Sequence, residues 1–503
     1  MPNVLAYLVL LGWPLVAVAL FRLLPLHKAL IWNLLLGHLI MPSETYIKFP
    51  MLPAVDKASM AAVSSLVLCM LMSRRLVPSP AAFPRLGRQI ILILLGVIVV
   101  TPILTVLQNT QPLLYGPTFL PGLRLYDAYG LISQALISLI PFWLGLRYLN
   151  TREAHVALLQ ALTFTGLMYS FPALIEVRLS PQLHYWVYGF YPFDFIQQMR
   201  EGGFRPVVFL NHGLMIGIYF GMSIISAFVL YREARRQGRN AFGWFAAGVW
   251  LFFVLILSKA LGALMIAAVF AVIVFFLGRR IQITIAVFLA FVVMLYPMLR
   301  GAGWIPVNLA YEVALSIDAD RASSLKFRLD NEDVLLEHAN KKPFSGWGSW
   351  GRHAIFDPTN GRMTSVTDGI WVIIIGVFGW FGYIGRFGLL TLPILLYALR
   401  RRTYGPSFIT PGVIMVLAAN LVDLLPNAGL VNYVWLLTGA VAGFVVWRPR
   451  DAAEPTVPLA RTSQFAGAGV AMPPGERASW LMSETSAPTG RKGRATPRKG
   501  RTT

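Results

Sequence analysis

Residues 303–368 read GWIPVNLAYEVALSIDADRASSLKFRLDNEDVLLEHANKKPFSGWGSWGRHAIFDPTNGRMTSVTD, and they make up most of the only long polar interval in a hydrophobic chain. The whole interval, 299–369, lies between two apolar segments. The apolar spacing of Leu325, Leu329 and 334–336 suits an amphipathic helix that Pro343 ends. A connection of this length between packed elements is usually functional or disordered. The helical spacing, together with the aromatic, turn-rich GWGSWG that follows it, predicts a folded, partly helical loop that carries the site.

The composition is that of a membrane protein. Hydrophobic residues make up 56% of the 503 residues, charged residues make up 13%, and the mean hydropathy is +0.64. Soluble domains of ordinary composition do not reach this hydropathy. A bilayer needs about 20 apolar residues per helical span, so we predict an all-α fold, a polytopic transmembrane helical bundle of about 13 spans. The apolar segments lie near 4–22, 28–42, 57–73, 89–107, 127–148, 155–175, 207–230, 242–257, 260–277, 281–298, 370–398, 408–425 and 428–447.

Basic residues fall at alternate connections between these segments. Lys and Arg are held on the cytoplasmic side of membrane proteins, so the pattern predicts an amino terminus on the outer side and a cytoplasmic carboxyl terminus. The first segment has no basic leader or cleavage site and is predicted to stay as a span. The basic clusters are Arg22/His27/Lys28, Arg74/Arg75/Arg85/Arg88, Arg147/Arg152, Arg232/Arg235/Arg236/Arg239, Arg279/Arg280 and Arg400/Arg401/Arg402.

Four regions follow from this pattern. They are an N-terminal transmembrane bundle, 1–298, an outer loop with the site, 299–369, C-terminal transmembrane helices, 370–447, and a disordered, basic cytoplasmic tail, 448–503. The tail is rich in Pro, Ala, Ser, Thr and Arg, a composition that buries too little apolar surface to fold and that suits the anionic headgroups of membrane lipids. The net charge of +21 therefore predicts membrane lipids as partners, and no nucleic acid. The single cysteine, Cys69, leaves no intramolecular disulfide.

Three candidate site residues lie on or beside middle spans. In EGGFRPVVFLNHGLM, 201–215, Arg205 is predicted at the outer boundary of the seventh apolar segment and His212 about two turns deeper on it, and Lys259 lies at an outer turn. Ionisable side chains at membrane depth are functional by default. The alternatives are that Arg205 and Lys259 only anchor the chain at the interface and that His212 caps the backbone of a neighbouring segment.

The polar loop supplies the other candidates. Arg321, Lys326 and Arg328 lie in DRASSLKFRLDNE, where 321, 325 and 328 share one helical face and 326 lies off it. The alternative is a solvated helix whose basic residues pair with its own acidic ones, Asp318, Asp320, Asp330 and Glu332. His353 and Asp368 flank a Gly/Pro/Asn-rich stretch, and Asp368 stands directly before GIWVIIIGVFGWFG, where it could instead cap the next helix.

Motifs for metals and nucleotides are missing from the sequence. There is no CxxC, HxxxH or HExxH, and the seven histidines are scattered, so no metal site is predicted. There is no P-loop, and GWGSWG lacks the strand that a dinucleotide fingerprint needs. We therefore predict no cofactor and no nucleotide-driven pump.

The order of these features resembles the O-antigen ligase and polymerase superfamily, bacterial membrane glycosyltransferases that use polyprenyl-diphosphate-linked glycans. The resemblance covers about residues 200–445. It rests on FRPVVFLNHG at the entry to a middle span, the turn SKALGA, the loop segment FRLDNEDVLLEHANKKPFSGWGSWG, and Thr367-Asp368-Gly369 at the end of the loop. Lys259 replaces the arginine usual in the family, and Asp368 stands where the ligases have histidine. These departures favour an exopolysaccharide polymerase over a lipid-A-directed ligase.

The resemblance implies a metal-independent enzyme of the bacterial inner membrane that polymerises or ligates oligosaccharide from an undecaprenyl-diphosphate-type donor onto a growing glycan or a lipid. It also implies that the outer side, with the amino terminus and the loop 299–369, is the periplasm. Arg205, Lys259 and Arg328 would pair with the diphosphate, and Arg321 and Lys326 would help to bind the substrate. Asp368 would be the general base, with His353 or His212 as alternatives. Other polysaccharide-assembly proteins are expected partners. Four tryptophans could stack on sugars or anchor the interface: Trp304, Trp347, Trp350 and Trp371.

The competing hypothesis is a transporter of lipid-linked glycan or polysaccharide without catalysis. It predicts charges near the midplane of several spans and pseudo-symmetric halves, whereas most candidate charges here are predicted on the outer side. A third hypothesis, a structural scaffold of a secretion complex, leaves the charged loop unexplained.

Overall fold

The computed structural model describes residues 1–49, 53–72, 85–200, 202–317, 319–366 and 368–447. The predicted tail, 448–503, lies outside these residues. Within them the chain is mostly helical, with two small β-hairpins.

Each predicted apolar segment contains a helix, and the protein is a membrane-embedded helical protein. Seven helices among the described residues are long and apolar enough to cross a membrane: α1 (Val4–Leu23), α4 (Arg85–Leu107), α5 (Leu125–Tyr148), α6 (Arg152–Leu179), α8 (Gly213–Arg236), α11 (Arg279–Gly301) and α14 (Ile370–Leu399). Six are apolar but shorter: α2 (Leu26–Ile40), α3 (Lys57–Met72), α9 (Phe242–Leu257), α10 (Leu261–Phe276), α15 (Ile409–Asp423) and α16 (Asn432–Trp447). The count of about 13 spans stays a prediction.

The polar interval is partly helical, as its apolar spacing predicts. It contains α12 (Val307–Ile317) and α13 (Ala319–Asn340), and α13 ends before Pro343. The other elements are α7 (Leu183–Tyr188) and the strands β1 (Leu113–Tyr115), β2 (Thr118–Leu120), β3 (Met199–Arg200) and β4 (Gly203–Phe204). β1 pairs with β2 and β3 with β4, both antiparallel. The sequence does not predict these short hairpins, because two or three residues per strand leave no periodic signal.

Two of the basic connections meet at one buried carboxylate. Glu233 of α8 is fully buried, and Arg152 and Arg236 each place Nη2 2.5 Å from its Oε1. The backbone N–H of Phe408 donates to its Oε2 at 2.8 Å. This carboxylate therefore ties α6, α8 and the start of α15 together. We call this end of the bundle the basic end.

Other connections meet at the opposite end. The Tyr188 hydroxyl donates to the Ile40 carbonyl at 2.6 Å, and Asn432 Nδ2 donates to the Ala58 carbonyl at 2.8 Å. The connections after α2, α7 and α15 thus pack together. We call this the loop end, because α11 delivers the polar interval there and α14 starts there.

The membrane helix α14 is broken at Gly379, where φ is +67° and ψ is −173°. The break leaves backbone groups that lipid cannot satisfy, and the segment around GWGSWG satisfies them. Trp347 N–H donates to the Gly376 carbonyl at 2.7 Å, Gly348 N–H donates to the Val377 carbonyl at 3.0 Å, and Trp380 N–H donates to the Pro343 carbonyl at 2.7 Å. The polar loop is therefore part of the helix packing.

Replacing Gly379 with alanine should destabilise the protein by about 1–3 kcal/mol, because only glycine adopts this backbone conformation readily. The new β-carbon would also lie 2.5 Å from the Phe344 carbonyl carbon. Gly96→Ala in α4 is the matched control, since no atom lies within 4 Å of the position that its β-carbon would take. Thermal melting in detergent should separate the two variants, and equal melting would contradict the docked loop.

Candidate active site

Arg328 and Asp368 form an ion pair at the loop end. Arg328 Nε of α13 lies 3.2 Å from Asp368 Oδ2, and the two side chains are 36% and 33% exposed. The residue that caps α14 is Gly369, and no side chain caps that helix. The structure therefore does not support the alternative that Asp368 serves as an N-cap. Its carboxylate faces the guanidinium, and both side chains are partly open to solvent.

The pair meets because α13 packs against α11 and α14. Arg300, in the last turn of α11, donates to the Leu329 carbonyl at 3.0 Å and to Asp333 Oδ2 at 2.9 Å. On the other side, Val366 N–H donates to Asn331 Oδ1 at 2.9 Å. These contacts hold the middle of α13 between the end of one membrane helix and the approach to the next.

Glu332 is a buried carboxyl beside this pair that the sequence reasoning missed. It follows Arg328 by four residues, so the two share one helical face. Its side chain is 6% exposed and accepts from the Tyr296 hydroxyl at 3.3 Å. Burial raises the pKa of Glu332 to about 7, and the neighbouring Arg300 works against that rise. The sequence does carry a signal of this burial, because Glu332 continues the helical face formed by Leu325 and Leu329.

The raised pKa of Glu332 predicts a pH-dependent stability. The folded protein holds this proton up to about pH 7, whereas the unfolded chain releases it near pH 4.5. The free energy of unfolding should therefore fall as the pH rises from about 4.5 to about 7. Glu332→Gln should remove that fall and be on the order of 1–3 kcal/mol more stable than wild type at pH 7.5.

Melting curves in detergent at pH 5 and pH 7.5 measure this effect. Glu337→Gln, which changes an exposed carboxylate on the same helix, is the control. An unchanged pH dependence in the Glu332 variant would contradict the prediction.

Arg205 and Lys259, which we call the second basic group, are in contact through the Lys259 backbone. Gly213 packs against Arg205 so closely that a β-carbon there would lie 2.3 Å from the Arg205 Cδ. Arg205 is buried, and its Nη2 donates to the Lys259 carbonyl at 3.5 Å. Arg205 is therefore not a simple surface anchor, since its guanidinium reaches the turn between α9 and α10.

A buried glutamate shapes the chain after Arg205. The backbone N–H groups of Val207 and Val208 each donate to Glu176 Oε2 at 2.7 Å, and Leu183 N–H donates to its other oxygen at 2.9 Å. These bonds fix the non-helical stretch that leads into α8. The seventh apolar segment, predicted to begin at 207, therefore becomes helical only at Gly213.

The remaining predicted residues have other contacts. His212 caps α8 by accepting from Leu214 N–H at 3.1 Å, so it lies at the start of the helix and not two turns inside it. Lys326 is exposed, with Nζ 5.7 Å from the centre of the Tyr311 ring. Arg321 belongs to α13, and its side chain is outside the described set. The contacts of His212 and Lys326 are thus separate from those that define the Arg328–Asp368 pair.

His353 packs against α14, where a β-carbon on Gly376 would lie 3.1 Å from the His353 Cβ. Burial lowers the pKa of His353, and the nearby His338 lowers it further. The imidazole is therefore neutral at neutral pH and could accept a proton. It stays an alternative base.

The predicted tryptophans differ in their access to solvent. Trp371 is fully buried and cannot stack on a sugar. Trp347 is stacked on His338 with ring centres 4.3 Å apart, and Lys342 Nζ lies 4.6 Å from its ring centre. Trp304 and Trp350 are exposed. Of these four tryptophans, the last two offer an open ring face.

A cavity of about 680 Å³ lies at the loop end. It is lined by parts of the connection after α2, by α5, by residues 349–350 and by the connection before α16. Among the described residues, none of the predicted site residues lines it. No pattern in the sequence predicts this cavity, because its walls come from segments far apart in the chain.

The described part of the chain holds no group of three or more His, Cys, Asp or Glu side chains placed to bind a metal ion. The site is therefore described by its ion pair, its buried carboxyl and its second basic group. Comparison with protein-family models and with curated proteins gave no match for this chain.

Proposed function

We propose that the protein is a membrane glycosyltransferase that polymerises or ligates polyprenyl-diphosphate-linked oligosaccharide at the loop end. We take that end to be the periplasmic face of the bacterial inner membrane. The observation that supports this most is the 3.2 Å contact between Arg328 and Asp368. It places a cation suited to a diphosphate beside a carboxylate suited to a proton, at the point where the polar loop enters a membrane helix.

The reaction needs little beyond these two groups. The acceptor hydroxyl oxygen attacks the anomeric carbon of the donor, and the bond between that carbon and the diphosphate oxygen breaks. The electron pair leaves with the diphosphate, and the hydroxyl proton passes to Asp368. Arg328 has further N–H groups besides Nε, and these pair with the negative charge that develops on the leaving oxygen.

Asp368 is preferred over Glu332 as the base because of access. A pKa of about 7 suits Glu332 to general base catalysis near neutral pH. Its side chain, however, is 6% exposed, against 33% for Asp368. Glu332 is therefore assigned to holding the face of α13 that presents Arg328.

Arg205 and Lys259 form the second half of the proposed donor site. Arg205 is held against Gly213 and the Lys259 carbonyl, so its guanidinium is preorganised. A preorganised cation binds phosphate without first losing side-chain freedom. We assign this group to the lipid-linked diphosphate. The acceptor is a growing glycan or a lipid, and membrane lipids and other polysaccharide-assembly proteins are the further partners.

One observation favours the second candidate, transport without catalysis. Arg386 is buried near the middle of α14, and its guanidinium carbon lies 3.9 Å from the centre of the Phe378 ring. A buried charge inside a membrane helix is typical of a transport pathway. The transferase is preferred because the ion pair at the loop end is accessible and Arg386 is packed against an aromatic ring.

Purified protein in nanodiscs, supplied with a polyprenyl-diphosphate oligosaccharide and no nucleotide, tests the proposal. We expect lengthened or transferred glycan and stoichiometric release of polyprenyl diphosphate. Movement of intact lipid-linked glycan between leaflets, with no new glycosidic product, would overturn it in favour of transport.

A further inference from the structure

The loop-end cavity has the size and shape of a ligand site. Its volume of about 680 Å³ lies inside the range of about 300–1,000 Å³ for small-molecule sites. Its polar walls include Thr45, Gln134, Ser138, Asn211 and Asn432. Hydroxyl and amide groups of this kind can donate and accept hydrogen bonds without carrying charge.

Exposed aromatic rings accompany these polar groups. Tyr46, Tyr126 and Trp350 line the cavity and are exposed, Trp350 to 60%. The Trp350 indole N–H donates to Asp127 Oδ1 at 2.9 Å, and Asp127 is itself fixed by accepting from Arg124 N–H at 2.7 Å. One edge of the indole is therefore anchored while its faces stay open.

Trp350 has a strained backbone. Its φ is +61°, a region that bulky residues rarely adopt and that costs about 1–3 kcal/mol. The nearby Gly348 and Gly351 also have positive φ. Glycine at 350 would remove the strain, because glycine adopts positive φ readily. A tryptophan kept in this conformation, anchored at one edge and open to a cavity, indicates that the ring itself is used.

The charges in the cavity do not favour an anion. Lys48 and Lys57 line it together with three carboxylates, those of Glu44, Asp56 and Asp127. The three Lys57 ammonium protons face protein oxygens, at 2.7 Å to Ser43 Oγ, 3.2 Å to the His38 carbonyl and 3.4 Å to the Phe209 carbonyl. Lys48 Nζ lies 4.9 Å from the centre of the Tyr46 ring. The carboxylates outnumber the lysines, so a phosphate has little to gain here.

We infer that the loop-end cavity binds uncharged sugar units of a glycan. Sugars offer apolar ring faces to aromatic side chains and hydroxyl groups to amides and hydroxyls, and this cavity supplies both. If the proposed function holds, the cavity binds the acceptor chain. Only this role as acceptor site rests on the proposed function. The GWGSWG segment links the two sites, since it carries Trp350 and docks on Gly376 and Val377 of α14, a helix that begins two residues after Asp368.

Binding in nanodiscs tests the inference with a panel of uncharged oligosaccharides of two to six hexose units. A uronic acid oligomer is tested as an anionic ligand, and polyprenyl phosphate is tested as a lipid ligand. We expect at least one uncharged member to bind, and Trp350→Gly to weaken that binding at least tenfold. The variant should melt at the same temperature as wild type or higher, because glycine tolerates this φ. Trp186→Ala, at an exposed tryptophan of α7, should leave binding unchanged.

The inference is overturned if no uncharged oligosaccharide binds, or if only the uronic acid oligomer or polyprenyl phosphate binds. An equal loss of glycan binding in the Trp186 variant would also overturn it. Arg328→Ala should keep glycan binding while losing transfer, so the two proposals fail separately. If glycan binds but no transfer reaction occurs, the proposed function is wrong and the inference about the cavity stands. If Trp350→Gly leaves the KM for the acceptor unchanged, the cavity is not the acceptor site, and the proposed transferase function still stands.

Discussion

Arg328→Ala should lower the rate of glycan transfer by about 10²–10³, the usual cost of removing one donor that stabilises a developing negative charge. Arg328→Lys should recover only part of the loss, because lysine keeps the charge but not the planar fork. Asp368→Asn keeps the size of the side chain and removes the base, so it should lower the rate to a similar degree. Initial rates of product formation in nanodiscs measure all three.

Arg362→Ala is the control for charge, since it removes an exposed arginine from the same loop. It should transfer at the wild-type rate. All variants should melt close to wild type, because an ion pair that is one-third exposed on each side adds little stability. Near wild-type rates in both Arg328→Ala and Asp368→Asn would remove the pair from the mechanism.

Glu233→Ala should destabilise the protein by about 3–5 kcal/mol, the cost of leaving a buried charge without its partner. Arg152 is buried and places Nη2 2.5 Å from the Glu233 carboxylate, so its charge would lose this partner inside the packed bundle. The variant would also lose the acceptor for Phe408 N–H. The effect should be on folding yield and melting temperature, measured in detergent.

Glu153→Ala controls for the loss of a carboxylate at the same end of α6. Its side chain is 64% exposed and lies 3.8 Å from His27, and exposed pairs contribute about 1 kcal/mol or less. A Glu233 variant that melts like the Glu153 variant would show that the buried cluster does not hold the basic end together.

Hydropathy predicts the helices well because burying apolar length in a bilayer leaves the backbone little choice but helix. The spacing of Leu325 and Leu329 likewise predicts α13. The sequence also indicates Arg328 and Asp368 as separate candidates, but it does not predict that they form an ion pair. Their pairing depends on Arg300 and Asn331, which set how α13 lies against α11 and α14, and such long-range packing has no local signature.

Other features are hidden in the sequence for the same reason. Gly379 is one of several glycines in α14, and only the docked loop shows why its positive φ matters. The alternative that Glu332 is a solvated partner on its own helix is wrong, because this side chain is buried and contacts Tyr296 on another helix. The sequence places His212 too deep, because the Glu176 carboxylate that keeps 207–212 out of the helix is remote in the chain.

The most direct test of the central claim is the transfer rate of the double variant Arg328→Ala/Asp368→Asn, set beside the two single variants. Residues that act on one transition state are strongly non-additive. If Arg328 holds the leaving diphosphate while Asp368 takes the acceptor proton, the double variant should be about as slow as the slower single variant. Losses that multiply to about 10⁴ or more, which two independent losses of 10²–10³ would give, would contradict a shared role for the pair.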